Sequence, residues 1–134
     1  MKPSIIYIDD DEINLILFRE LFIEDFEINT YFSGLEALEY LKTTKVDYIL
    51  TDQQMPVITG IEFLCELKKI CPDQMPRRIM VSGTYKPEEV KQALKNNLMD
   101  GFIAKPWTYN SLKKIIFGSA DAVKQPLILL NSYK

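Results

Sequence analysis

Histidine is absent from this 134-residue chain, and cysteine occurs only twice. The first absence removes Ser-His-Asp and Cys-His catalysis from the repertoire of the chain itself. Together the two leave too few ligands for an all-protein zinc site, and Cys65 and Cys71 read as ordinary cytosolic thiols. Long hydrophobic runs are missing too. No apolar stretch approaches the roughly 18–20 residues that a membrane helix requires. The run Ile5-Ile6-Tyr7-Ile8 passes directly into Asp9-Asp10-Asp11-Glu12, which argues against a signal peptide and membrane insertion and for a cytoplasmic location. Basic charge is in slight deficit, with 16 Lys and Arg against 19 Asp and Glu and a formal net charge of −3. A broad cationic surface for a phosphate backbone is therefore not expected, nor is direct nucleic-acid binding. What the chain does have is 47% hydrophobic residues, enough for one core and too few for two ordinary domains.

Short strand-like runs alternate with helix-period segments. Ile5 to Ile8, Tyr48 to Thr51 and Ile79 to Val81 are nearly continuous apolar runs, the pattern of strands buried on both faces, and Ile28 to Tyr31 and Phe102 to Ala104 fit two more. The rhythm predicts an α/β fold, a doubly wound, five-stranded parallel sheet with five helices covering both faces. Its strand order is taken as the flavodoxin-like 2-1-3-4-5. Ser33 with Glu36 and Thr59 with Glu62 have capping-box spacing, Asp11 and Thr108 are further caps, and Pro87 with Glu88 and Glu89 suits a first helical turn. In the first helix Ile13, Leu17, Phe18, Leu21 and Phe22 are expected on one apolar stripe. Residues 1–118 read as one domain. Residues 119–134 form an extension without a recognisable output domain, with a helix continuation over 120–123 and the apolar run Pro126-Leu127-Ile128-Leu129-Leu130. Packing of that run against the fifth helix is the favoured reading, and docking on a partner or a second copy is the alternative.

Ligands of open α/β sheets bind beyond the carboxyl ends of the strands, where strand order reverses. For order 2-1-3-4-5 that point lies between the first and third strands, which here end in Asp9-Asp10 and Asp52. The neighbouring strands end in Ser82 and Lys105. Converging carboxylates repel one another unless a cation is present, and hard oxygen ligands suit Mg2+. With the metal in place one carboxylate can attack phosphorus while Lys105 and Ser82 offset charge on the phosphoryl oxygens. Asp52 is the best nucleophile by its central place, Asp10 a direct metal ligand and Asp9 a ligand through water. An isolated Asp triplet would read as a helix-capping acidic turn, and Asp11 keeps that reading. Gly60 reads as a turn glycine, and Gly83 fits equally a turn or an open approach to the site.

Ile8-Asp9-Asp10, the segment Asp52 to Gly60 with Met55-Pro56, Val81-Ser82-Gly83 and Lys105-Pro106 occur in the order and strand context of one family. From Ser4 to about Phe117 the chain resembles the receiver domain of two-component response regulators, in their single-domain form. The resemblance implies that Asp52 accepts a phosphoryl group from a histidine kinase or a histidine phosphotransfer protein. It implies Mg2+ held by Asp10, Asp52 and the Gln54 backbone carbonyl, Ser82 and Lys105 contacting the phosphoryl group, and a cis peptide at Lys105-Pro106. Phe102 resembles the aromatic switch position, where tyrosine is common, and Ser82 stands where threonine is more frequent. Gln54 and Thr84 occupy positions that in the family tune phosphoryl lifetime. The family reads its switch on the face of the fourth and fifth helices, toward a downstream protein or a homodimer partner. Such a chain is no enzyme toward other substrates: it takes a phosphoryl group and slowly loses it to water. The competing reading is an interaction module that keeps the fold without phosphorylation. A phosphatase of the Asp-x-Asp type is disfavoured because Gln53-Gln54 follows Asp52. Met1 and the run past the fifth helix suggest an intact small protein rather than a piece of a larger regulator.

Overall fold

A computed structural model describes residues 1–118 of the chain, and the expectations for 119–134 lie outside the described residues. Strands and helices alternate strictly: β1 (Ser4–Ile8), α1 (Glu12–Phe22), β2 (Glu27–Tyr31), α2 (Gly34–Leu41), β3 (Tyr48–Thr51), α3 (Gly60–Ile70), β4 (Arg77–Ser82), α4 (Pro87–Lys95), β5 (Gly101–Ala104) and α5 (Tyr109–Phe117). All pairings are parallel and the strand order is β2-β1-β3-β4-β5, as the sequence predicts.

Period-two alternation sends β1 side chains into two separate cores. Ile6 and Ile8 join Ile49, Phe63, Leu64, Leu67 and Phe102 on the face covered by α2, α3 and α4. Ile5 and Tyr7 join Leu50, Val81, Phe18, Phe22, Leu112 and Ile116 on the face covered by α1 and α5. Burial on both sides is the reason the central strands read as continuous apolar runs.

Register positions the site. Ile8 pairs with Thr51, Thr51 with Met80, and Ser82 with Ala104. Asp9, Asp52 and Lys105, each one residue past its strand, therefore emerge side by side. Backbone bonds extend the ladder to each of them: Asp9 N donates to Tyr31 O (3.1 Å), Asp52 N to Ile8 O (2.9 Å) and Lys105 N to Ser82 O (2.9 Å).

Helix starts follow the sequence signals. Asp11 accepts from Ile13 N at 3.0 Å, Thr59 and Glu62 close a full capping box, and Ser33 accepts from Glu36 N at 3.3 Å, the forward half of such a box. The first-helix stripe needs correction. Leu15, Phe18 and Phe22 are its buried residues, while Ile13, Leu17 and Leu21 remain 72%, 46% and 40% exposed. This helix carries more apolar residues than one face can hold, so periodicity offers two overlapping stripes. Contact of Phe18 with Tyr7 (ring centroids 5.1 Å apart, edge to face) and its stack on Phe22 (4.6 Å) mark the stripe that is buried. Gly60 is required by space, because a Cβ there would collide with the Asp52 carbonyl oxygen.

Candidate functional site

Three carboxylates, those of Asp9, Asp10 and Asp52, offer oxygen atoms that all lie within 4.8 Å of one another. Asp9 and Asp52 are buried and Asp10 is exposed. One ammonium bridges the buried pair: Lys105 Nζ is 2.9 Å from Asp9 Oδ2 and 3.2 Å from Asp52 Oδ2. Burial pushes the Asp52 carboxyl above its ordinary pKa and the charge of Asp9 adds to this, against the pull of Lys105 and the Gln53 N–H. Burial alone would lower Lys105, but its hydrogen bond to Asp9 and the charges of Asp9 and Asp52 leave it raised. Three carboxylates against one ammonium leave an excess of negative charge at a site of hard oxygen donors. That donor set fits a divalent cation such as Mg2+.

The other expected residues surround this centre. Ser82 is fully buried at the end of β4, and its Oγ donates to Thr84 O (2.8 Å) and accepts from Thr84 N (3.3 Å). Phe102 is buried, with its ring edge to face on Tyr85 at 4.7 Å. Lys105–Pro106 is a cis peptide. Gln54 is exposed and, with Gln53, Thr84 and Tyr85, lines an open cleft of about 720 Å³ between the starts of α3 and α4. A Cβ on Gly83 would find ordinary contact with Lys105, so space does not demand glycine there. Trp107 packs on Phe18 and Phe22, each at 6.3 Å.

Three residues at the site were not foreseen. The Tyr7 hydroxyl donates to Asp9 Oδ2 at 2.8 Å, and Asn14 Nδ2 reaches the same oxygen at 3.2 Å. Burial, then the charge of Asp9 and the hydrogen bond to it, hold the Tyr7 phenol far above its ordinary pKa, so Tyr7 stays a donor. The signal for Tyr7 was its place on β1 two residues before Asp9, which puts the two side chains on the same face where the extended chain continues past the strand. Gln53 is the third: its N–H donates to Asp52 Oδ1 (2.8 Å), and its Oε1 accepts from Ile61 N (2.9 Å), tying the acidic loop to the start of α3.

Residues 5–117 match the family model described as the response regulator receiver domain. The chain belongs to that family. Among curated relatives, this receiver is 33% identical over 117 residues to the chemotaxis protein CheY of Halobacterium salinarum, covering 87% of this chain and 95% of that protein. It is 32% identical over 117 residues to the autoinducer 1 sensor kinase/phosphatase LuxN of Vibrio campbellii. That match takes in 86% of this chain but spans only 13% of the length of LuxN. The crystal structure of the Vibrio cholerae chemotaxis protein CheY4 superposes with a TM-score of 0.74 at 27% identity, over 85% of this chain and 95% of that one. Receivers interact with kinases and with downstream effectors, and this receiver has the acidic pocket in which a metal could bind. No helix among its described residues is long and apolar enough to cross a membrane.

Proposed function

We propose that this receiver is a cytoplasmic signalling switch in which Asp52 accepts a phosphoryl group from a histidine kinase or a histidine phosphotransfer protein. The observation that carries the reading is the single Lys105 ammonium shared between the buried carboxylates of Asp9 and Asp52. An oxygen of ionised Asp52 forms a bond to phosphorus while the P–N bond of a donor phosphohistidine breaks, its electron pair returning to the imidazole. Water later attacks phosphorus, the P–O bond to Asp52 breaks, and carboxylate and inorganic phosphate result. No other substrate is turned over, so the chain is not an enzyme in the usual sense.

Asp9, Asp10, Asp52 and the Gln54 backbone carbonyl are the groups that would hold Mg2+. When bound, the ion supplies positive charge that offsets the charge on the transferring phosphoryl oxygens. Lys105 turns its ammonium from Asp9 toward those oxygens. Ser82 gives up its bond to Thr84 O and donates to the phosphoryl group instead, which loosens the loop carrying Tyr85 against Phe102. The added charge of about −1.5 to −2 then biases a two-state equilibrium read on the face of α4 and α5, by a downstream protein or a second copy.

Incubation with Mg2+ and acetyl phosphate, followed by intact-mass measurement, tests the reading. Wild type should gain one phosphoryl group and Asp52→Ala none. An adduct that persists in Asp52→Ala sinks the assignment, and an unlabelled wild type leaves the phosphorylation-independent module in its place.

A further inference from the structure

Asp9 is fully buried, so a donor that it loses must be made up by the groups around it. Its Oδ1 accepts from Asp11 N at 2.9 Å, while Oδ2 receives three donors: the Tyr7 hydroxyl at 2.8 Å, Lys105 Nζ at 2.9 Å and Asn14 Nδ2 at 3.2 Å. Three donors on one carboxylate oxygen exceed its two lone pairs. If Lys105 leaves for a phosphoryl group, Asp9 loses a cation and a hydrogen bond together. A buried carboxylate stripped of all partners is strongly destabilising. Here two donors would remain, and the shorter of those two bonds comes from a fully buried phenol whose ring is held edge to face by Phe18 at 5.1 Å.

We propose that Tyr7 is a positioning residue for phosphoryl transfer, its hydroxyl holding Asp9 Oδ2 so that Lys105 is free to leave that oxygen for the phosphoryl group. The inference rests on the reading of Asp52 as phosphoacceptor. Tyr7 acts through Asp9 and Lys105 and touches no reacting atom. Without its hydroxyl, Asp9 becomes more dependent on Lys105 and keeps it. The Asp9 charge itself is untouched, so cation binding should not weaken.

The test uses the full chain and Tyr7→Phe, which keeps the ring and its packing. Labelling by acetyl phosphate at saturating Mg2+ is followed by intact mass, and Mg2+ affinity is measured separately by calorimetry. Tyr7→Phe should label about tenfold more slowly with Mg2+ affinity no weaker than wild type. In a Lys105→Met background the same substitution should add no further loss, because its effect runs through the lysine. Equal rates for wild type and Tyr7→Phe overturn the inference, as does a loss that persists undiminished beside Lys105→Met. Mg2+ affinity falling in parallel with rate also overturns it, since that marks a site that has merely come apart. If Tyr7→Phe does not fold, Asn14→Ala removes the weaker donor from the same oxygen outside the core and must slow labelling in the same way. An unlabelled wild type overturns both readings, whereas a labelled wild type with an equally labelled Tyr7→Phe overturns this one alone.

Discussion

Two charged clusters sit at opposite edges of the sheet, built from similar materials. At the amino edge Arg78 meets Asp100 at 3.3 Å, with its guanidinium also donating to the carbonyls of Pro76 (3.1 Å), Asn97 (2.8 Å) and Leu98 (3.2 Å). Asp100 Oδ2 in turn accepts from Arg78 N at 2.8 Å. One cation there faces one carboxylate, and the remaining guanidinium contacts are backbone oxygens. At the carboxyl edge one cation is divided between two buried carboxylates, with a third beside them. The first cluster is balanced and holds α4's exit loop against β4. The second carries excess negative charge in a place where water is scarce. A charge imbalance of this kind, more than the presence of charged residues as such, separates a site of chemistry from a brace.

The sharpest way to break that contrast is Arg78→Met, which leaves Asp100 Oδ1 and three carbonyls without the guanidinium while the backbone bond to Asp100 Oδ2 stays. It should cost about 3–5 kcal/mol of folding stability, read by urea unfolding, and Mg2+ should not recover the loss. Lys105→Met should cost less, about 2 kcal/mol, and added Mg2+ should restore part of it. Recovery of the Arg78 variant by Mg2+, or none for the Lys105 variant, would erase the distinction.

Asp52→Asn has the opposite sign. The folded-state pKa of Asp52 is raised, chiefly by burial and then by Asp9, so folding favours the protonated form. That contribution is full below the unfolded pKa and is lost as pH rises through the folded one. At neutral pH without metal the ionised carboxylate is a liability, and the amide should raise the melting temperature. The gain should vanish toward pH 3, and a neutral-pH melting temperature at or below wild type would contradict the imbalance. Smallest of all is the exposed pair of Glu39 and Lys42, 2.7 Å apart with side chains 73% and 53% exposed. Its removal by Lys42→Ala should change stability by less than about 0.5 kcal/mol in thermal melts. A larger change would show that exposure does not discount charge here.

Much of the carboxyl edge was legible because a polar residue ending an apolar strand is conspicuous. Asp9, Asp10, Asp52, Ser82 and Lys105 each follow such a run, and the βα rhythm makes the strands parallel so that their carboxyl ends share one edge. The residues that support them were not. Tyr7 hides in an apolar run because its ring packs like its neighbours while only the hydroxyl serves Asp9. Gln53 looks like any polar loop residue until the turn folds its amide onto Ile61 N. The buried side of α1 was misjudged because the sequence supplies apolar residues on two stripes, and only packing against Tyr7, Trp107 and Tyr109 chooses between them. Nor does a serine codon tell where its hydroxyl points, here toward the carbonyl of Thr84.

The parallel register has an evolutionary consequence. With Ile8 opposite Thr51 and Ser82 opposite Ala104, the site exists only while those strands keep their length. Inserting one residue into β3 would swing Asp52 to the other face of the sheet and scatter the cluster, however well the chain still folded. Substitution can retune this switch by degrees. Added length in the loops at the far edge, such as 42–47 and 71–76, leaves every strand end in place.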